Sequence, residues 1–277
     1  MSTEVKVIIG DALEQLKTLP DGSVNCCVTS PPYFGLRDYG HDGQIGLEAS
    51  PEAFVAKLVD VFREVRRVLR DDGTCWVNLG DSYSGSGRGD NPNGKQSTNA
   101  GTRFKPPTSG QTFGIGAKQL FGIPWRVAFA LQADGWILRQ DIIWHKPNPM
   151  PESVKDRCTK AHEYLFLLAK KPRYWFDANA IREPQKESSL KRLLPGANRR
   201  SVWSICPRPY KGAHFAVFPP ALVEPCIKAG CPAGGTVLDP FGGSGTTGQV
   251  AKSLGRNAIL IELNHAYKQL IDDRITK

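Results

Sequence analysis

An α/β fold built on a mostly parallel sheet, with helices on both faces, is what this chain predicts. Three observations carry that expectation. Short apolar runs alternate with helical repeats almost end to end, one strand stops at a Ser-Pro-Pro corner, and another ends in a glycine-rich turn that opens a helix. In such sheets ligands settle beyond the carboxyl ends of the strands, where both the corner and the turn lie.

Residues 5–9 (VKVII) read as the first strand, and Leu13, Leu16 and Leu19 mark an amphipathic helix after Gly10-Asp11. VNCCV, 24–28, is the next strand. It ends in Thr29-Ser30, two prolines and the aromatic pair Tyr33-Phe34; proline lacks an N–H and fixes φ, so pairing stops and the chain turns rigidly. Residues 51–70 predict a helix, with Ser50 as N-cap and Pro51 in the first turn. Asp72-Gly73 predicts a turn into the strand TCWVNLG. Residues 81–118, rich in Gly, Ser, Asn and Pro, predict a long mobile insert. A helix at 124–133 and strands at 136–144 and 162–169 follow. Residues 177–213 are basic and irregular. A helix at 219–230, the strand TVLDP, a helix at 245–254 and the strand AILIEL complete the series, without internal repeat.

The 277 residues carry a formal net charge of +9, which favours a polyanionic partner, nucleic acid first. Seven cysteines form no C-x-x-C and no zinc-spaced cluster, so buried reduced thiols in a cytoplasmic protein are expected, and no metal site. The N-terminus does not read as a signal peptide, and no apolar run is long enough for a membrane span.

DPFGGSGTTG, 239–248, follows a strand and opens a helix. Gly243-x-Gly245-x-x-Gly248 matches the dinucleotide fingerprint, whose glycines admit a ligand close to the backbone at a helix start. Glu262, at the end of the next strand, is placed to accept two ribose hydroxyls. NAD and S-adenosylmethionine both satisfy this pattern. Asp239 favours the second, since a carboxylate there can hold an ammonium group, directly or through water, and repels a pyrophosphate. Thr246 and Thr247 add hydroxyls suited to a carboxylate tail.

TSPPY together with DPFGGSGTTG resembles the amino-methyltransferases of DNA. The order, corner first and cofactor turn last, resembles their beta group. Further likenesses lie in GDALEQL, RVLRDDGTCWVNLGD, IIWHKPNPMPESVKDR with HEYLFLLAK, and HFAVFPPALVE. The resemblance implies a Rossmann-like methyltransferase fold with a seven-stranded, mostly parallel sheet and permuted motif order. It implies S-adenosylmethionine as cofactor and double-stranded DNA as substrate, and it allows a cognate restriction nuclease as partner. The implied setting is the cytoplasm of a prokaryotic cell, or of a phage's host. It places Asp11 near the adenine of the cofactor, Phe218 and Pro219 near its methionine or adenine, and Phe241 with the glycine turn. It divides the chain into a catalytic half at 1–176, a short target-recognition region at 177–213 and a cofactor half at 214–277 of the same domain.

For such an enzyme the corner has a physical rationale. An exocyclic amino nitrogen is a poor nucleophile because its lone pair is delocalised into the ring. Ser30 Oγ and the Pro31 carbonyl can accept its two N–H bonds while Pro31 and Pro32 keep the carbonyl fixed. Tyr33 is expected to stack on a base flipped out of the duplex, with Phe34 or Trp144 as further walls. Ser30, where adenine enzymes carry Asp or Asn, favours cytosine N4 over adenine N6. Arg37, Lys155, Arg157, Lys191, Arg192, Arg199 and Arg200 lie on predicted loops and are candidate DNA contacts. Pro225-Cys226-Ile227 precedes an apolar helix face and reads as core, not as a nucleophile for carbon-5 methylation. An NAD-dependent dehydrogenase and a non-catalytic nucleic-acid-binding module are the alternatives at this point.

Overall fold

The computed structural model describes residues 3–36, 38, 40, 41, 43–85, 111–184, 196–207 and 218–276. Its first half runs β1 (Val5–Ile9), α1 (Ala12–Lys17), β2 (Val24–Thr29), α2 (Pro51–Val68), β3 (Leu69–Leu79), α3 (Ile123–Ala133) and β4 (Ile137–His145). The rest is β5 (His162–Ala169), β6 (Val202–Ser204), α4 (Pro220–Gly230), β7 (Thr236–Asp239), α5 (Thr246–Ser253), β8 (Asn257–Glu262) and α6 (Tyr267–Thr276). Capping follows the residues. Asp11 accepts the Glu14 N–H at the start of α1, and Ser50 accepts the Ala53 N–H at the start of α2.

The eight strands of the described residues form one sheet in the order β1-β8-β7-β2-β3-β5-β4-β6. β5 alone runs antiparallel to its neighbours. The sheet is thus mostly parallel, as expected, but has eight strands where seven were expected. The additional one is the three-residue β6, which lies in the basic stretch and pairs with the outer edge of β4. β3 begins at Leu69 and runs through Asp72-Gly73, where a turn was expected; a register shift opposite Val24 and Cys26 absorbs the extra residues.

Strand side chains alternate between two cores. Cys27, Cys75, Val77, Phe166 and Leu168 face α1, α2 and α3 with Leu16, Phe54, Phe62 and Leu131. Cys26, Val28, Trp76, Leu165 and Leu167 face α4 and α5 with Leu222, Cys226, Ile227 and Val250. The helix after β2 therefore packs on one face and the helix after the adjacent β7 on the other. That reversal opens a crevice at the carboxyl ends of the two strands. No helix among the described residues is long and apolar enough to cross a membrane.

Candidate active site

The crevice is a cleft of about 940 Å³. It forms because β2 and β7 are neighbours, with Cys26 opposite Val237 and Cys27 opposite Leu238. The Ser-Pro-Pro corner and the glycine turn are thereby brought together across more than two hundred positions of chain.

Asp239 joins them. Its Oδ1 accepts the Thr29 hydroxyl at 2.6 Å and the Phe241 N–H at 3.1 Å, and its Oδ2 accepts the Thr247 hydroxyl at 2.7 Å. The residue is 0 % exposed. Burial pushes its carboxyl up to about 6, against the pull of those donors. Asp239 and Thr247 are both engaged in this clamp, and of the threonine pair only Thr246 lines the cleft. A contact between Asp239 and an ammonium group therefore has to run through its neighbours, not through an exposed carboxylate.

Gly243 and Gly245 adopt left-handed backbone conformations, φ 54° and 79°. A Cβ at Gly248 would stand 2.8 Å from Leu260 Cδ1, so this glycine lets α5 pack closely on β8. Glu262 lines the cleft. Its Oε2 accepts the Gly243 N–H at 2.7 Å and its Oε1 the Asn264 N–H at 2.8 Å. Burial raises its carboxyl, partly offset by those N–H groups. Asp11, Phe218 and Phe241 line the same cleft, whereas Pro219 is buried as the N-cap of α4 and Gly245 is buried as the N-cap of α5.

Ser30, Pro31, Pro32 and Tyr33 all line the cleft. The Tyr33 hydroxyl donates to Glu163 Oε2 at 2.7 Å and lies 3.2 Å from Asn78 Oδ1. Ser30 Oγ–H is directed at the same Asn78 oxygen, 3.4 Å away. Asn78 Nδ2 donates to Glu163 Oε2 at 3.2 Å and to the Tyr164 carbonyl at 3.1 Å. Lys146 pairs with Glu163 Oε1, its ammonium 4.3 Å from the centre of the Trp144 ring. The Tyr33 ring also lies against Gly80, where a Cβ would come within 2.5 Å of it.

Asn78 and Glu163 were not singled out from the sequence. Asn78 did leave a signal there, a polar residue inside the apolar run TCWVNLG, which needs a hydrogen-bonded role if buried. Phe34 corrects an expectation. It is 2 % exposed and packs against Phe54, Phe113 and Phe121, so it belongs to the core and not to the cleft wall. Trp144 does line the cleft, its Nε1–H donating to the Ile205 carbonyl at 2.9 Å.

Of the candidate DNA contacts, Lys155 is exposed. Arg157 pairs with Glu152 and stacks over Tyr83, Arg199 stacks over Trp203, and Arg200 pairs with Glu183. Arg37, Lys191 and Arg192 lie outside the described residues, as does most of the insert, 86–110. The described end of the insert packs on the core through Phe113. Cys226 is buried in α4, as expected of a core thiol, and burial raises it. Among the described residues, no group of His, Cys, Asp and Glu is arranged to hold a metal.

Residues 24–273 match the model of a family described as DNA methylase, which covers N6 and N4 methyltransferases. The chain is 50% identical over 272 residues to the Type II methyltransferase M.SmaI of Serratia marcescens, covering 98% of this chain and 91% of that protein. It is 50% identical over 266 residues to the Type II methyltransferase M.Cfr9I of Citrobacter freundii, covering 96% and 86%. Among solved structures, the PvuII DNA methyltransferase (cytosine-N4-specific) superposes with a TM-score of 0.72 at 22% identity, covering 99% of this chain and 87% of that one. A putative DNA modification methylase of Thermus thermophilus, TTHA0409, complexed with S-adenosyl-L-methionine, superposes with a TM-score of 0.63 at 27% identity, covering 98% and 95%. A family match of this extent displaces the dehydrogenase reading of the glycine turn.

Proposed function

This chain belongs to the DNA methylase family, and we propose that it methylates the exocyclic amino group of a flipped DNA base, cytosine N4, with S-adenosylmethionine as cofactor. The observation that carries the reading is the single cleft in which Ser30, Pro31 and Tyr33 share walls with Phe241, Gly243 and Glu262.

The cofactor half suits a nucleoside with an amino-acid tail. Each Glu262 oxygen has one N–H donor, and a carboxylate offers about four lone-pair sites, so acceptor capacity remains for a ribose diol. Asp11, Phe218 and Phe241 supply the surroundings of an adenine, and Thr246 a hydroxyl for the tail. Asp239 acts by holding the corner and the turn in register. The TTHA0409 complex supports the same cofactor. When bound, S-adenosylmethionine supplies an electrophilic methyl group on its sulfonium.

The remaining work belongs to the chain. Ser30 Oγ and the Pro31 carbonyl accept the two amino N–H bonds of the base and favour a pyramidal nitrogen, a positioning role that can be worth about 7–11 kcal/mol in ideal cases. The Tyr33 ring, fixed at its hydroxyl by Glu163 and Asn78, offers the stacking face. Flipping costs a few kcal/mol, which stacking partly offsets. Serine at the head of the corner supports cytosine over adenine. On this reading residues 1–176 and 214–277 are the catalytic and cofactor halves of one domain, which the pairings of β1 with β8 and β2 with β7 support. Residues 177–213 contribute target recognition. The Type II names of the relatives support a cognate restriction nuclease as partner.

Incubation with DNA and methyl-labelled S-adenosylmethionine, digestion to nucleosides and mass spectrometry tests the proposal. Labelled N4-methylcytosine is expected. Labelled N6-methyladenine would correct the base and keep the reaction class, and no labelled nucleoside would remove the proposal.

A further inference from the structure

Two of the exposed large apolar side chains among the described residues line the cleft, Leu36 at 38 % and Met150 at 83 % exposure. A single exposed apolar residue is ordinary. Met150 is distinguished by its setting. It stands in Pro147-Asn148-Pro149-Met150-Pro151, where three prolines stiffen the backbone. The chain beyond is braced: Glu152 Oε2 accepts the Arg157 guanidinium at 2.7 Å and the Lys160 N–H at 3.1 Å, Arg157 stacks 4.1 Å over the Tyr83 ring, and Asp156 pairs with Lys118 at 2.7 Å. A stiff, braced loop therefore holds a long apolar side chain in water at the wall of the cleft that also contains Ser30 and Tyr33. Lys155, exposed on the same loop, adds a cation suited to a phosphate.

A base drawn into that cleft leaves a gap in the stack, and apolar side chains, methionine among them, insert between base steps in other DNA-binding proteins. The thioether chain of methionine is unbranched and polarisable, so it can slide between flat base faces. Resting on the base-methylating reading above, we infer that Met150 is the wedge that enters the DNA stack in place of the flipped base. It is a positioning residue. It touches neither the cofactor nor the reacting nitrogen, and it acts by stabilising the extrahelical state of the target.

The test uses the full chain and two duplexes containing a site that wild-type enzyme methylates. One duplex is fully paired, and the other carries an abasic residue opposite the target base, which removes the target's pairing partner. Met150→Ala is expected to lower kcat/KM on the paired duplex about tenfold, with Met150→Leu close to wild type. On the abasic duplex, Met150→Ala should return to within about threefold of wild type, because little flipping cost is left for the wedge to offset. Calorimetry with S-adenosylhomocysteine should give the same affinity for all three proteins, which separates the effect from misfolding. Equal rates for Met150→Ala and wild type on the paired duplex would overturn the inference, as would an equal loss on both duplexes. A wild-type chain that methylates no DNA would overturn the underlying reading as well.

Discussion

Asp239 has no exposure to solvent yet accepts three hydrogen bonds, so its protonation is coupled to folding. Its folded value, about 6, lies above the ordinary aspartate value of 3.8. Between those values the native chain holds a proton that the unfolded chain has released. The stability contributed by this group is therefore greatest below 3.8 and is lost as pH rises through about 6. Asp239→Asn should remove that slope from melting curves recorded across this window. The Thr247 hydroxyl can then donate to the Val28 carbonyl, 3.3 Å away, and accept from the new amide. Asp239→Ala removes the acceptor of the Thr29 hydroxyl and the Phe241 N–H and leaves the Thr247 hydroxyl only the longer bond to the Val28 carbonyl, and should cost about 2–4 kcal/mol, read as a lower Tm. An alanine variant that melts with the wild type would contradict the clamp. The rigidity of the Ser30–Tyr33 corner was legible in the sequence, since covalent geometry dictates it. The three donors on Asp239 were not, because Thr29 meets it only through the pairing of distant strands.

At the scale of elements, β3 and β5 supply the half of the cleft that the proposed function gives to the base. Their antiparallel pairing puts Asn78 near Glu163, and Lys146, just beyond β4, closes the set. Glu163→Gln loses the ion pair and presents an amide N–H₂ where an acceptor is needed, so that either Lys146 or the Tyr33 hydroxyl loses its bond to residue 163. Charge-assisted hydrogen bonds of this kind are worth about 1.5–3 kcal/mol. The variant should slow methyl transfer by roughly ten- to a hundredfold, with cofactor affinity within about twofold of wild type. Unchanged single-turnover rates would show that the network does not position Tyr33. β5 is legible in the sequence because its apolar run is compact and ends at Lys170-Lys171. β6 escaped notice because three residues show no period. α6 did so because only Ile271 of its ten residues is buried, which leaves a faint apolar stripe.

For the molecule as a whole, one sheet brings the two ends of the chain to a single crevice, and the formal charge of +9 supplies attraction for DNA phosphates. The α/β class and the two motifs at strand ends were readable from periodicity and from Pro and Gly. The strand order was not, since nothing local records that β2 lies beside β7. On the proposed reading, affinity for DNA comes from phosphate contacts with a basic chain, whereas methyl transfer depends on the corner. Phosphate contacts set most of the binding and its salt dependence, so deleting the stacking ring should spare both. The most direct measurement is the single-turnover methyl-transfer rate of Tyr33→Ala, taken alongside its affinities for duplex and for S-adenosylmethionine. The prediction is a rate lowered at least about a hundredfold, with both affinities within about threefold of wild type. Transfer at the wild-type rate would contradict the account.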